Sequence, residues 1–159
     1  MQIRRAEEKD IDAIKNLLEQ VLLVHHNGRP DIFKPNSRKY KDDELIKIIK
    51  DDLSPVFVAE IENSVKGYAF CIINEIKDNN ILHDSKSIYI DDLCVDENSR
   101  GTNIGKSLYE YVKEYAKSIG CNSITLNVWE CNPGAKRFYE KMGMIPQKTV
   151  MECTLTNDK

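Results

Sequence analysis

The order of the predicted elements indicates a mixed α/β fold in one domain that spans residues 1–159. Along the chain, apolar residues switch between the spacing of a strand and that of a helix. The predicted order is strand, helix, helix, three strands, helix, strand, helix and a final strand. The segment from Tyr89 to Val128 contains a strand, a helix and a second strand, which is typical of a crossover connection.

Composition and charge argue against several classes of protein. A hydrophobic content of 41% with 31% charged residues is ordinary for a globular protein. The formal net charge of −3, without basic and aromatic residues interleaved, argues against nucleic-acid binding and weakly favours a cationic partner. Because no signal peptide or long apolar stretch is visible, we expect a cytoplasmic protein that does not bind membranes.

The N-terminal half is predicted to contribute two helices and three strands. Residues 1–6 have the weak alternation of an edge strand, and an amphipathic helix follows from Glu7. A second helix is expected from Asp42 until Pro55 interrupts it. Residues 56–61 and 65–73 are predicted to pair as two strands, with a bulge at Gly67.

The cysteines and histidines do not predict a metal site. The five cysteines stand at positions 71, 94, 121, 131 and 153 without a CxxC pair, so we interpret them as reduced, small core residues. His25 and His26 lie near Asp31, but adjacent side chains rarely point the same way, and no third His or Cys has ligand spacing. These residues are more typical of a polar loop.

A glycine-containing turn connects the strand at residues 88–95 to a helix that begins at Ile104. The first N–H groups of a helix have no partner inside it and lie at the positive end of its dipole, which favours a phosphate. Permissive residues and cations are both present in this turn: Gly101, Asn103 and Gly105, with Arg100 and Lys106. An ordinary turn that caps a helix is the alternative.

The spacing of this turn distinguishes between known phosphate loops. A P-loop needs four residues between its glycines, whereas three separate Gly101 from Gly105, and no dinucleotide GxGxxG is present. Residues 100–105 resemble the Arg/Gln-x-x-Gly-x-Gly/Ala pyrophosphate loop of the GCN5-related N-acetyltransferase (GNAT) family. The departure is Asn103, which stands where glycine is usual. Asparagine tolerates positive φ well, so we expect the loop conformation to survive.

A second stretch resembles the other signature region of the same family. Its pattern is Asn132…Ala135…Phe138-Tyr139…Gly143, in which Asn132 suits an N-cap and Gly143 a helix end. The specific resemblance covers roughly residues 86–150. It implies a mixed, mostly antiparallel twisted sheet flanked by about four helices, with the strands at 88–95 and 123–128 splayed apart.

The resemblance implies acetyl-CoA as co-substrate and no metal. The pyrophosphate is expected on the glycine-containing turn, and the pantetheine arm beside the splayed strand, where the Val95 N–H could polarise the thioester carbonyl. The coenzyme-binding residues implied are Leu93, Cys94, Val95, Arg100, Gly101, Thr102, Asn103, Ile104, Gly105, Lys106, Ser107, Asn132, Ala135 and Tyr139.

The acceptor implied is a primary amine that attacks the thioester directly. An alkylammonium with a pKa of about 10.4 must first lose a proton, so a base is required. The stretch YIDDLCV resembles spermidine/spermine-type acetyltransferases, and Asp91 stands where those enzymes have a glutamate. We therefore predict that Asp91 is a base or an anchor for a cation. Strict alternation places Asp92 on the opposite face. Tyr139 is predicted as general acid for the leaving thiolate. The acceptor-binding candidates are Asp91, Asp92, His25, Asp31 and Trp129.

Two other functions remain open at this level. A protein or peptide N-acetyltransferase needs an open groove, which the sequence does not distinguish from a pocket. A coenzyme A-binding sensor with weak or no catalysis is compatible with the substitution at Asn103. Related proteins are often dimers, so the resemblance also implies a homodimer.

Overall fold

The computed structural model describes residues 1–156, which contain five strands and four α-helices. The strands are β1 (Gln2–Arg5), β2 (Val56–Ile61), β3 (Ser64–Ile76), β4 (Ser85–Val95) and β5 (Ser123–Leu126). The helices are α1 (Ile11–Gly28), α2 (Asp42–Lys50), α3 (Ile104–Ser118) and α4 (Pro133–Lys141). Residues Met1–Asn127 form one compact unit and the residues from Val128 onward a second. That the chain is a single domain stays a prediction.

The five strands form one sheet in the order β1-β2-β3-β4-β5. All neighbouring pairs are antiparallel except β4 and β5, which are parallel and connected through α3. The mixed, mostly antiparallel sheet and the crossover are therefore confirmed. The parallel pairing joins Ser87–Ile90 to Ser123–Leu126, whereas β4 continues to Val95. Residues 91–95 thus extend past β5, as expected for a splayed pair.

Helices cover both faces of β2, which explains why this strand lacks polar alternation. Ile14 and Leu17 of α1 and Leu45 of α2 are fully or almost fully buried in a cluster with Val58. On the other face, the Phe57 ring lies edge-on to the rings of Tyr111 and Tyr115 in α3, with centroid distances of 5.1 and 5.0 Å. A strand buried on two faces is apolar at successive positions, and residues 56–59 are all buried.

Gly67 allows α3 to approach the sheet closely. A Cβ atom at Gly67 would lie 2.9 Å from the Cys94 carbonyl oxygen and 3.0 Å from Leu108 of α3. The register between β2 and β3 also shifts beside this residue, because Ala59 pairs with Gly67 and Glu60 pairs with Val65. The bulge expected at Gly67 therefore occurs next to it.

The final strand predicted after α4 is not formed. The described residues beyond Lys141 contain no strand. A strand needs a neighbour to satisfy its backbone hydrogen bonds, and a strand-like sequence alone does not supply one. Among the helices of residues 1–156, none is long and apolar enough to cross a bilayer.

Candidate active site

The turn before α3 adopts the backbone conformation that its sequence requires. Asn103 is the N-cap residue of α3 and has φ 64° and ψ 12°, which is the left-handed region. Gly101 also has positive φ, at 81°. Asparagine therefore takes the backbone conformation that the usual glycine would take at this position, as the sequence predicts.

The turn presents the N-terminus of α3 and is fixed by side chains on either side. Ser107 N–H donates to the Asn103 carbonyl at 3.0 Å, which closes the first turn of the helix. The amides of residues 104–106 precede that bond, at the positive end of the dipole. The Thr102 hydroxyl donates to the Ser99 carbonyl. Helix N-terminal amides together with a nearby arginine can bind a phosphate.

Gln20 of α1 positions the chain that leads into this turn. Its side-chain amide donates to Asp96 at 2.9 Å and accepts from the Glu97 N–H at 3.0 Å. A cleft of about 280 Å³ lies between α1 and the turn, with Arg100 in its lining. Gln20 was not among the predicted site residues, since nothing local in the sequence connects α1 to residue 96.

At the splayed end of β4, the backbone of Cys94, and not its buried side chain, is suited to bind a ligand. The Cys94 side chain is buried, and its thiol donates to the Leu17 carbonyl with the sulfur 3.6 Å from the oxygen. Burial raises the pKa of this thiol to about 12, so it is a poor nucleophile. Leu93 and Val95, on either side, are half-buried. The strand edge at 93–95 can accept an extended ligand in the manner of an added strand.

A β-bulge at Asp91 organises the acidic pair. Phe70 pairs with Asp92 and Cys71 pairs with Ile90, so Asp91 is the extra residue on β4. Bulges interrupt alternation and re-aim side chains. The Asp91 carboxylate accepts from Lys39 Nζ at 3.1 Å and from the Tyr40 hydroxyl at 3.3 Å.

Asp92 lies close enough to influence the same ammonium group. Burial alone would lower the pKa of Lys39, but the charges of Asp92, Tyr40 and Asp91 outweigh it and raise that pKa. The bulge at Asp91 interrupts the alternation on which the opposite faces expected for Asp91 and Asp92 depend. A period-two pattern in the sequence does not anticipate such a bulge.

The environment of Asp92 raises the pKa of its carboxyl. Burial raises the pKa of the Asp92 carboxyl, and the hydrogen bond from the Tyr68 hydroxyl at 2.7 Å offsets only part of that effect. Tyr68 is fully buried, and its ring packs edge-on against Phe70 with centroids 4.9 Å apart. Asp92 is thus held by a rigid aromatic neighbour.

The segment after α1 contributes one of its two predicted residues to this cluster. Burial lowers the pKa of His25, while the charge of Asp92 acts in the opposite direction, so the two side chains interact. The His25 ring packs against the Phe33 ring at a tilt of 31°, with centroids 4.9 Å apart. Asp31 instead forms an exposed ion pair with Arg29 at 2.8 Å.

The second unit supplies the motif around α4. The Asn132 side chain accepts from the Ala135 N–H at 3.2 Å, and Pro133 occupies the first turn, so the predicted N-cap is confirmed. Tyr139 is half-buried, and its ring lies edge-on to Phe138 with centroids 5.1 Å apart. The Trp129 carbonyl accepts a hydrogen bond from the Asn132 N–H at 2.9 Å. Trp129 itself is 38% exposed.

Sequence reasoning missed Lys39, Tyr40 and Tyr68. Tyr68 carried a weak signal, since its hydroxyl lies in an otherwise apolar strand and must find a partner when buried. Lys39 and Tyr40 carried none, because residues 29–41 contain no regular element and only the tertiary fold brings them to β4.

The cysteines do not behave as one class. Cys71 and Cys94 are buried core residues, as predicted, whereas Cys131 and Cys153 are exposed. In residues 1–156, no group of three potential ligand side chains is arranged to hold a metal ion. That the chain needs no metal stays a prediction.

Comparisons with known proteins match this geometry to a family. The model of the acetyltransferase (GNAT) family matches residues 22–144. A glucosamine 6-phosphate N-acetyltransferase of Arabidopsis thaliana is 32% identical over 107 residues, which is 67% of this chain. The chain spans 62% of the length of that relative.

Solved structures share the same fold. A crystal structure of a mutant Bacillus halodurans protein is 32% identical and has a TM-score of 0.94, covering 98% of this chain and all of that one (100%). An aminoglycoside acetyltransferase from an uncultured soil metagenomic sample, solved in complex with sisomicin, is 22% identical and has a TM-score of 0.68. The match covers 99% of this chain and 96% of that chain. The family match spans most of the chain and includes the turn, the bulge and α4. The chain belongs to the GNAT acetyltransferase family.

Proposed function

We propose that this chain is an N-acetyltransferase that uses acetyl-CoA to acetylate the primary amine of a small, cationic acceptor. The observation that carries the proposal is the bulge on β4, where Asp91 already binds an alkylammonium group, that of Lys39. The site lies on the strand whose splayed end leads into the turn before α3. The names of two relatives give small-molecule acceptors, glucosamine 6-phosphate and aminoglycosides.

The residues present fit a pyrophosphate and an extended arm. Asn103 holds the left-handed conformation that the turn needs, and Arg100 lines the adjoining cleft. The free edge of β4 at residues 93–95 suits the amides of the pantetheine arm. Acetyl-CoA supplies an activated acyl group on a thiolate that leaves readily. The chain's own residues bind, orient and move protons.

The two carboxylates are proposed to have different roles. Asp91 binds a cation in the structure, so it suits the role of anchor for the acceptor. Asp92 has a pKa raised by burial, which brings its proton affinity closer to that of an amine and makes it the better base. The base accepts the ammonium proton, directly or through water, before the nitrogen attacks.

Tyr139 is proposed as the acid that protonates the leaving thiolate. The support is its place in the motif around α4 and the chemistry of a phenol, whose usual pKa is about 10. General acid catalysis is typically worth about 10²–10⁴-fold. Tyr139→Phe should therefore lower kcat strongly and leave the dissociation constant for acetyl-CoA almost unchanged. Unchanged turnover would remove Tyr139 from the mechanism.

Calorimetric titration with acetyl-CoA tests the coenzyme site. We expect binding that weakens by about tenfold or more in Arg100→Ala, because a charge-assisted bond to phosphate is lost. Arg38→Ala is the matched control, since Arg38 is exposed and pairs with Asp42 on α2. Absence of binding in the wild-type protein would overturn the proposal.

Thiol release with a panel of amines tests the acceptor. We expect polyamines and other cationic amines to react faster than neutral or anionic amino acids, and Asp91→Asn to raise their KM. Asp43→Asn is the control, because Asp43 lies in the exposed first turn of α2. Activity only on peptides would favour a protein acetyltransferase, and coenzyme binding without any acetylation would favour a sensor.

A further inference from the structure

We propose that the chain acetylates its own Lys39 when acetyl-CoA is present without an acceptor amine, so that Lys39 is a modification site. The inference rests on the proposed function, since it uses the same carboxylates and the same acetyl donor. It goes beyond that function because the acceptor is a side chain of the protein and because the product changes the acceptor site.

The first observation is the position of the Lys39 ammonium group. Its Nζ lies 3.1 Å from the carboxylate of Asp91, which is the proposed anchor for the acceptor. Burial lowers the pKa of Lys39, and the charge of Asp92 is the largest of the effects that raise it. The proposed base therefore acts on this ammonium. A lysine side chain is a primary alkylamine, so Lys39 carries the group that the proposed reaction consumes.

The second observation is that Tyr40 holds the backbone next to Lys39 against the sheet. The Tyr40 ring stacks on Phe70 of β3 with centroids 5.8 Å apart, and its hydroxyl donates to Asp91 at 3.3 Å. The backbone at Lys39 is thereby fixed, whereas its four-carbon stem can rotate. A tethered amine has an effective concentration of about millimolar, so no second molecule has to bind.

The stem of Lys39 is long enough to reach the splayed end of β4. The arm of the coenzyme is proposed to lie along residues 93–95, which begin two residues beyond Asp91, or about 7 Å along the strand. Rotation about the bonds of the stem lets Nζ cover this distance once it leaves Asp91. The ion pair is partly exposed, and such pairs are weak enough to open readily.

The chemical step needs no reactant beyond acetyl-CoA. Asp92 accepts one proton from the Lys39 ammonium, and the freed electron pair of Nζ forms a bond to the acetyl carbon. The bond from that carbon to sulfur breaks, and the sulfur keeps the bonding electrons and is protonated. Nζ loses a second proton to water as the amide forms. Of the two protons that leave Nζ, one balances the thiol of coenzyme A and the other is released.

Acetylation would remove the positive charge that Lys39 places at Asp91. An acetylated lysine is uncharged and no longer forms an ion pair. A cationic acceptor then has no internal ammonium to displace, so its KM should fall by about two- to fivefold, as expected for the loss of one exposed ion pair. Self-acetylation thus opens the acceptor site to cations when acetyl-CoA is abundant and the acceptor is scarce.

Peptide mass spectrometry after incubation of the full chain with acetyl-CoA alone is the first test. We expect Lys39 to be acetylated at least about a hundredfold faster than Lys117, since general acid–base catalysis is typically worth that much or more. Lys117 is the matched control, because it pairs with Glu114 at 2.8 Å and its side chain is 61% exposed. Equal rates at the two lysines would indicate solution chemistry and overturn the inference.

Asp92→Asn tests whether the site itself performs the transfer. Acetylation of Lys39 should slow to the rate at Lys117, because the proposed base is lost. The amide can still accept a hydrogen bond from the Tyr68 hydroxyl, and circular dichroism establishes that the variant is folded. If Lys39 is acetylated as fast in this variant as in the wild-type protein, the site does not catalyse the reaction and the inference fails.

A parallel reaction with a polyamine separates the inference from the proposed function. Acetylation of the polyamine with no modification of Lys39 in its absence would overturn the inference and leave the proposed function standing. If neither amine is acetylated, both are wrong. Excess polyamine should slow the acetylation of Lys39, because the two ammonium groups compete for Asp91.

Mixing two variants tests whether the transfer stays within one chain. Asp92→Asn keeps Lys39 but lacks the base, whereas Lys39→Arg keeps the base but has a guanidinium that stays protonated and cannot attack. In the mixture, Lys39 of the Asp92→Asn chain should remain unmodified. Its acetylation there would overturn transfer within the chain and favour a protein acetyltransferase.

Steady-state kinetics tests the effect on the acceptor site. Incubation with acetyl-CoA before the polyamine is added should lower the KM of the wild-type protein by about two- to fivefold. Lys39→Arg keeps the charge and cannot be acetylated, so its KM should not change. A wild-type KM that stays the same after Lys39 is fully acetylated would contradict the proposed effect.

Discussion

Lys39 occupies the position at Asp91 that we assign to the ammonium group of the acceptor. Its ammonium lies 3.1 Å from the Asp91 carboxylate, and its side chain is 41% exposed. Exposed ion pairs of this kind are typically worth about 0.2–1 kcal/mol, so a substrate cation can displace it. Under the proposed function, Lys39 is therefore a weak internal competitor, and acceptors with strong cationic character are favoured.

Replacing Lys39 tests this competition. Lys39→Met should lower the KM for a cationic acceptor by about two- to fivefold, because the acceptor no longer displaces an ion pair worth up to about 1 kcal/mol. Steady-state kinetics with a polyamine is the measurement, and the dissociation constant for acetyl-CoA should stay the same. Lys39→Arg keeps the charge and should behave like the wild-type protein. A higher KM in Lys39→Met would mean that Lys39 binds the acceptor instead.

Asp92, which we propose as the base, also affects stability through the pKa of its carboxyl. Because burial raises this pKa in the folded protein, the folded state holds the proton more tightly than the unfolded chain. The resulting stabilisation is complete at a pH below the pKa of Asp92 in the unfolded chain. It is lost as the pH rises through the higher pKa of the folded protein. As the pH rises above the unfolded pKa, the cost of ionising this buried carboxyl therefore lowers the free energy of unfolding.

Asp92→Asn should raise the melting temperature at pH 7 and abolish most activity. The amide oxygen can still accept from the Tyr68 hydroxyl, while the charge and the base are gone. The gain in stability should disappear below about pH 4, where the wild-type carboxyl is also protonated. Thermal unfolding at several pH values is the measurement. Lower stability of Asp92→Asn at neutral pH would show that the charge is compensated.

At the scale of elements, the contact between α3 and the sheet depends on Gly67. Gly67→Ala should destabilise the protein by about 1–3 kcal/mol, as is usual when extra atoms enter a packed core. The reason is the carbonyl oxygen of Cys94 at 2.9 Å, because backbone cannot yield as a flexible side chain can. Urea unfolding measures the change.

Gly134→Ala is the matched control for that substitution. A Cβ atom there would lie 3.8 Å from the Asn132 side chain, which is an ordinary contact, and alanine is the better helix former. We expect unchanged or slightly increased stability. A Gly67→Ala variant as stable as this control would mean that α3 moves away from the sheet without cost.

The larger unit, residues 1–127, is tied together by a partly buried charge network. Arg4 of β1 contacts Asp10 at 2.8 Å and Glu60 of β2 at 2.6 Å. Burial alone would raise the pKa of Asp10, but hydrogen bonds from Arg4 and from the Glu7 N–H outweigh it and lower that pKa. The stability that this provides is fully present at a pH above the pKa of Asp10 in the unfolded chain. It is lost as the pH falls towards the lower pKa of the folded protein.

Asp10→Asn should reduce the free energy of unfolding by about 2–3 kcal/mol at pH 7, because the Arg4 guanidinium loses its buried partner. At pH 3 the difference from the wild-type protein should shrink, since the Asp10 carboxyl of the unfolded wild-type chain is largely protonated there, which favours unfolding. Urea unfolding at both values is the measurement. Asp12→Asn is the control, because that side chain is 99% exposed. A difference that does not depend on pH would contradict the linkage.

Local chemistry allowed several elements of both units to be predicted. The apolar period placed α3, the polar cap placed the start of α4 at Asn132, and the tolerance of asparagine for positive φ anticipated Asn103 at φ 64°. These features depend on interactions within a few residues, so the sequence alone determines them. The family follows from the same two motifs, whereas the likeness to spermidine/spermine-type enzymes stays a proposal.

Tertiary structure alone decided the rest. The bulge at Asp91 depends on the register with β3, and Lys39 contacts Asp91 although the two residues are 52 positions apart in sequence. Residues 149–155 have the composition of a strand, yet the structure forms no strand there. Propensity and periodicity are local properties, whereas register, burial and strand pairing depend on residues distant in sequence.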